Sequence, residues 1–247
     1  MANELLYNGV LYDARNYKLE SEIDFWLSEA NESNGEVLEL CCGTGRVAIP
    51  IAKTGRKVSG VDISDSMLSQ AKKKAGDENI DIEWIKSDIR EFDLEKKFGM
   101  IYIPFNSFLH LQKNEDAEKL FKNVKKHLAK DGKFYLTIFN PDLSILSQNP
   151  LHRRLHDEII DPDSGEKIRI EESVNYDKET QINHVTLYFK FEGGIEKTEP
   201  LDIRIYYPQE IDTLLKYNGF KIESKFGDYK KSKFTSDSPF QIFKLSV

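Results

Sequence analysis

Val37-Leu38-Glu39-Leu40-Cys41-Cys42-Gly43-Thr44-Gly45-Arg46-Val47-Ala48 is the stretch on which the fold turns. A mainly apolar run stops at a Gly-x-Gly turn, and a helical pattern from Val47 to Lys53 begins at once. Glycine lets the backbone turn that sharply and approach a ligand with no Cβ in the way. Strand, glycine turn and helix N-terminus in succession make the nucleotide-binding edge of a parallel sheet. Lys57 to Asp62 then reads as a second strand ending in an acid. Asp62 lies roughly 20 residues beyond the glycines, where a carboxylate accepts the hydroxyls of a ribose.

NAD(P)-dependent oxidoreductases share this plan, and Gly43-x-Gly45-x-x-Ala48 fits their fingerprint. They also need a hydride-transfer constellation such as Tyr-x-x-x-Lys, and that spacing occurs only at Tyr217-Lys221 and Tyr229-Lys233, near the C-terminus and far along the chain from the glycine turn. The flanking residues favour another class. Glu39-x-Cys41-x-Gly43-x-Gly45 resembles motif I of the class I S-adenosylmethionine (SAM)-dependent methyltransferases, with Cys41 in place of the first glycine. Val61-Asp62-Ile63-Ser64-x-x-Met67-Leu68 resembles that family's second motif, and Trp84 to Asp88 its third. The likeness is good over residues 35 to 140 and loose elsewhere.

The resemblance implies a doubly wound α/β fold, Rossmann-like, with a mostly parallel seven-stranded sheet. It implies SAM as cofactor and S-adenosylhomocysteine as product. The cofactor residues it implies are Glu39, Cys41, Gly43, Gly45 and Arg46 from the first motif and Asp62, Ile63 and Met67 from the second. Asp88 and Ile89 follow from the third, where the acid meets the adenine amino group, and Asn106 from the fourth. An N-terminal segment covers the cofactor in this family, which makes Tyr12 a cofactor neighbour ahead of Tyr7 and Tyr17.

At 247 residues the chain can bury one substantial core and a small extra layer. Net charge is −7, which argues against a nucleic-acid partner. No stretch approaches the ~18 to 20 apolar residues of a membrane span. The N-terminus lacks the basic and apolar regions of a signal peptide. The two cysteines are adjacent, so they make poor disulfide partners and suit a reduced, cytoplasmic setting. A monomer or homodimer is expected.

Helical patterns cover Ser21 to Ala30, Ser64 or Asp65 to Ala75, and Asp116 to Leu128, the last ended by Asp131-Gly132. Strand patterns cover Ile82 to Lys86, Phe98 to Ile103 and Lys133 to Phe139. Alternating strands and helices predict a parallel sheet with helices on both sides. Residues 1–149 thus form the cofactor-binding core. Residues 150–207 break the pattern: Lys167–Tyr176, Gln181–Phe191 and Ile195–Tyr206 alternate as strands joined by turns, which predicts an antiparallel β insert over the acceptor side. Residues 208–247 supply a helix from Pro208 and two closing strands, Phe220–Phe226 and Phe240–Val247.

Methyl transfer is an in-line displacement that depends chiefly on positioning. It requires no metal, and at most one base takes a proton from the acceptor. His110, after the strand ending at Ile103, is the candidate for that base, since histidine titrates near neutrality. Asn/Asp-Pro-Pro-aromatic and Pro-Cys, marks of enzymes acting on nucleic-acid bases, are absent. With the acidic charge, this favours a small-molecule acceptor methylated on N or O. A SAM-binding protein without catalysis stays open at this stage. Arg204, Tyr206 and Tyr229 are candidates to line the acceptor pocket. His152 and His156 have the i, i+4 spacing of a helical zinc pair, but they fall in the β-rich insert and read as surface.

Overall fold

The computed structural model describes residues 4–16 and 20–247. Tyr17 lies outside them. Strands that are apolar throughout are stable where both sheet faces are covered. β1 (Val37–Leu40), β2 (Val58–Asp62) and β4 (Phe98–Ile103) are buried along their whole length and run parallel. β3 (Glu83–Lys86) and β5 (Leu128–Phe139) extend the parallel sheet at either side. β11 (Phe240–Ser246) is antiparallel to β5, and β10 (Lys221–Phe226) is antiparallel to β11. The resulting order is β10-β11-β5-β4-β1-β2-β3. β1 lies between β2 and β4, so the winding reverses there, and the carboxyl ends of these strands frame the crevice where open α/β sheets take ligands.

The two-residue period of the strands sorts the core onto two faces. Val37, Met100, Tyr102, Tyr135 and Ile242 pack with α2 (Glu20–Glu32) and α3 (Ala48–Lys53). Leu38, Ile101, Ile103, Phe134, Leu136 and Phe243 pack with α5 (Asn114–His127) and α7 (Pro208–Tyr217). α4 (Asp65–Asp77) starts at Ser64, whose side chain accepts a hydrogen bond from Met67 N. α5 stops at His127 and β5 begins at the next residue, so Asp131-Gly132 does not end the helix as its sequence suggests. Asp131 instead takes a left-handed φ of 65° inside β5, beside an irregularity in the β4–β5 register.

The insert is a four-stranded antiparallel sheet, where the sequence pattern predicts three strands: β6 (Arg154–Ile160), β7 (Lys167–Asp177), β8 (Ile182–Phe191) and β9 (Glu196–Arg204). β6 escapes a periodicity reading because it is a mostly exposed edge strand carrying Arg154, His156, Asp157 and Glu158. His156 therefore sits on a strand with His152 before it, and the helical spacing of the pair has no counterpart in space. The inner face of the insert (Ile168, Ile170, Val185, Leu187, Phe189) packs with Leu6 and Leu11. A short helix, α6 (Leu143–Leu146), lies between β5 and the insert.

The N-terminal segment also forms a helix, α1 (Gly9–Asn16), that the sequence pattern does not announce. It is tied at both ends. The Glu199 carboxylate on β9 accepts hydrogen bonds from Leu5 N and Leu6 N, each 2.7 Å. Asp13 pairs with Lys74 of α4 at 2.9 Å and accepts from Thr44 Oγ1 at 2.6 Å.

Candidate functional site

A cavity of about 1810 Å³ opens at the carboxyl ends of β1, β2 and β4. One wall carries Gly43, Asp62 and Asp88, and Asn183, Val185 and Leu201 of the insert also line the cavity. A site for one small ligand usually measures ~300 to 1,000 Å³, so this volume suits two ligands side by side.

Local backbone geometry builds the first wall. Cys41 and Gly43 have φ of 58° and 53°, so the chain leaves β1 through two left-handed residues. No atom lies within 4 Å of where a Gly43 Cβ would stand, so the cavity reaches the backbone there. The Asp62 carboxylate accepts from Gly43 N through Oδ2 and from Ser64 N through Oδ1, both at 2.8 Å. Burial raises the Asp62 pKa, and the backbone donors of Ser64, Gly43 and Ile63 oppose that rise. Ile63, which is largely exposed, and Met67 share this wall.

Asp88 and Ile89 follow β3 and line the same cavity. Arg90 Nη2 donates to Asp88 Oδ2 at 2.6 Å, and this contact is the main cause of the lowered Asp88 pKa.

Three of the sequence candidates stand back from the large cavity. Glu39 and Arg46 line a small side recess of about 20 Å³ with Tyr12 and Cys41, and Tyr12 and Cys41 line the large cavity as well. Glu39 is fully buried and accepts from Tyr102 OH at 2.8 Å; burial pushes its pKa up to about 8. Arg46 pairs with Glu22 at 2.6 Å, while its Nε and Nη1 are buried with no partner among the described residues. Gly45 lines neither space. Its φ is 73° and a Cβ would meet the Trp84 ring at 2.6 Å, so this glycine serves the turn and its packing.

At the mouth, Asn106 has a φ of 64° and a buried Oδ1 without a partner among the described residues. It precedes a 3-10 turn, Ser107–His110, that brings His110 to the cavity. The His110 ring is open to the cavity but surrounded by its walls, and this desolvation lowers its pKa. Tyr7 meets it edge-on, with ring centroids 6.3 Å apart. Burial pushes the Tyr12 phenol up to about 12.

Arg204, Tyr206 and Tyr229 do not line the cavity. Their polar ends are committed elsewhere: Arg204 to Asn114 and Glu210, Tyr206 to Leu111 O, and Tyr229 to Glu22. Tyr7, Arg15 and Asn183 line it instead. The tyrosine-rich N-terminus was a signal for the first; nothing local marked the other two.

A family model described as a methyltransferase domain matches residues 37–132, the span from β1 into β5 that carries every one of the cofactor motifs. That match, with the fold, supports a class I SAM-dependent methyltransferase. It is 25% identical over 222 residues to a putative methyltransferase of Bacillus subtilis, covering 89% of this chain and 87% of that one. Other curated methyltransferases are matched over about half of their own length. Among solved structures, a SAM-dependent methyltransferase from Clostridium acetobutylicum superposes with a TM-score of 0.79 at 21% identity, covering 98% of this chain and 96% of that one. The sugar N-methyltransferase KedS8 from Streptoalloteichus superposes with a TM-score of 0.73 at 13% identity, covering 94% and 90%. These two likenesses carry the fold.

The likeness displaces the oxidoreductase alternative and supports a SAM-dependent methyltransferase enzyme. It also explains Cys41. The methyltransferase motif has glycine there, and Cys41 keeps the left-handed φ that glycine adopts freely. Burial and the nearby Asp62, Glu39 and Asp88 push its thiol well above the usual range, which disfavours the reactive thiolate. Among the described residues no group of three His, Cys, Asp or Glu is arranged to hold a metal, and no helix is long and apolar enough to cross a membrane.

Proposed function

We propose that this methyltransferase transfers a methyl group to nitrogen or oxygen of a small molecule held beneath the insert sheet. The observation that carries this reading is the single cavity joining the motif-bearing strand ends to the inner face of the insert. Its volume leaves room for an acceptor beside the cofactor. KedS8, which shares the architecture, is named a sugar N-methyltransferase, and that name supports a small acceptor.

In this reading Asp62 takes the ribose hydroxyls, and Ile63 and Met67 flank the adenine. Asp88 and the Ile89 backbone meet its amino edge. Gly43 lets the backbone close on the ligand, and Gly45 keeps the turn. The unused Nε and Nη1 of Arg46 fit a carboxylate, which the cofactor's methionine end carries. Glu39 and Cys41 shape that end, and Tyr12 covers it from the N-terminal segment. When bound, SAM supplies an electrophilic methyl on a sulfonium centre. Asn106 Oδ1 accepts a hydrogen bond from the attacking group, and His110, neutral at pH 7, takes the one proton that the acceptor releases. The walls exclude water and hold the nucleophile in line.

The test is turnover. The protein is incubated with SAM and a panel of amines, amino sugars and hydroxylated small molecules, and S-adenosylhomocysteine is measured. Formation that depends on one acceptor class supports the proposal; formation only with peptide or nucleic-acid substrates would overturn it.

A further inference from the structure

Every buried polar side chain on the inner face of the insert should have an answer, because leaving one unpaired is costly. Two have one. Glu172 is met by Arg154 Nε at 2.6 Å and His156 Nδ1 at 3.0 Å. Glu199 is met by the amides of Leu5 and Leu6. Asn183 is different. It is 4% exposed, it lines the cavity, and its Oδ1 has no partner among the described residues.

Its surroundings make that oxygen stand out. Asn183, Val185 and Leu187 alternate along β8 on the cavity side, and Val174, Leu201 and Ile203 join them from the neighbouring strands. In register, Asn183 lies between Tyr176 and Ile203, and Val185 between Val174 and Leu201. A leucine at position 183 would complete this apolar floor with no desolvated amide. An amide oxygen accepts and does not donate, so what satisfies it must bring an N–H or O–H. No described residue, including those at the motif-bearing strand ends, donates to it, which leaves the second ligand as the source.

Resting on the methyl-transfer reading above, we propose that Asn183 and the apolar strip beside it form the acceptor subsite. The strip takes an apolar ring or chain, and Asn183 Oδ1 receives a hydrogen bond from an amine or hydroxyl on it. Asn183 is then a specificity-determining residue that rejects acceptors lacking that donor, as buried polar groups built to pair with a ligand do.

Three matched probes test this: aminomethylcyclohexane, cyclohexylmethanol and methylcyclohexane. Each is titrated into the protein saturated with S-adenosylhomocysteine, with the side-chain amide resonances of Asn183 followed by NMR. The amine, the alcohol or both should bind roughly tenfold or more tighter than the hydrocarbon, and should shift the Asn183 signals. Which of the two does so identifies the donor. Asn183→Leu should bring the three affinities together and leave S-adenosylhomocysteine binding unchanged. Equal affinities in the wild type, discrimination that survives in Asn183→Leu, or no shift at Asn183 would each overturn the proposal. Failure of S-adenosylhomocysteine to bind the wild type is a separate result and overturns the methyl-transfer reading itself.

Discussion

Gly43 N donates to Asp62 Oδ2 at 2.8 Å, so the end of β2 holds the loop that follows β1. With the ribose role proposed above, a ligand contact and a structural clamp would meet in one carboxylate. Its position at a strand end suggests a loop residue that is easily replaced, yet it is buried and also accepts from Ser64 N.

Asp62→Ala should therefore act twice. It should weaken S-adenosylhomocysteine binding by roughly tenfold to several hundredfold, the worth of one or two charge-assisted hydrogen bonds. It should also lower unfolding free energy by about 1 to 3 kcal/mol, because two backbone N–H groups lose their acceptor. Asp62→Asn keeps one carbonyl oxygen and should fall between. Calorimetry with urea unfolding measures both. A loss of affinity with no loss of stability would show that the Gly43 and Ser64 contacts contribute nothing net.

A second relationship concerns pH. Tyr102 OH donates to Glu39 Oε2 at 2.8 Å inside the α2–α3 side of the core, and burial raises the Glu39 pKa from 4.5 to about 8. Here the folded pKa lies above the unfolded one. The folded state keeps a proton that the unfolded state releases as pH climbs past 4.5. The contribution of Glu39 to stability is thus fully present below that value and declines as pH rises toward 8. The slope for one proton is about 1.4 kcal/mol per pH unit. Glu39→Gln should flatten the wild-type decline across this window, read from urea midpoints at several pH values. Parallel curves for the two proteins would show that Glu39 titrates normally.

The mostly parallel sheet and the antiparallel insert were legible because they rest on local signals. Gly43 and Asp62 stand at strand ends that apolar runs announce. Two kinds of feature were not legible. β6 carries its charges on an exposed edge, where nothing forces alternation. Arg15 and Asn183 reach the cavity only because the N-terminal segment and the insert fold over the same strand ends, a long-range arrangement that no spacing encodes. Arg204, Tyr206 and Tyr229 failed as acceptor residues for the same reason in reverse. Their polar ends are tied to backbone or side chains mostly far away in sequence, which composition does not reveal.

His110 gives a test of proton transfer. Desolvation by the cavity walls lowers its pKa below 6.5, so the neutral base predominates through neutral pH. The maximal rate should rise with pH through an inflection below 6.5 and then stay level. In His110→Gln that inflection should vanish and the rate should fall by ~10² to 10⁴, the usual range for a general base. S-adenosylhomocysteine affinity should not change if His110 serves the acceptor, as proposed. The same inflection in both proteins would assign the titration to another group.

The N-terminal segment is held to the insert by Glu199, whose two oxygens accept from Leu5 N and Leu6 N at 2.7 Å each. Both bonds are charge-assisted, so together they outweigh an ordinary turn contact. They also bridge the two parts of the cavity wall, since Tyr7 and Tyr12 follow directly on this segment and line the site. At the other end Asp13 and Lys74 keep α1 against α4 at 2.9 Å. Glu199→Ala should thus loosen the first residues without unfolding the core. Hydrogen exchange at Leu5 and Leu6 should accelerate by roughly tenfold or more, the rate change that corresponds to losing about 1.5 kcal/mol of local protection. The urea midpoint of the whole protein should move little, because the parallel sheet does not depend on this contact. S-adenosylhomocysteine should dissociate faster as Tyr12 loses its anchor. Glu199→Gln keeps one accepting oxygen and should show about half of the effect on exchange. If exchange at Leu5 and Leu6 is the same in wild type and Glu199→Ala, packing of Leu6 and Leu11 on the insert holds the segment, and Glu199 does not.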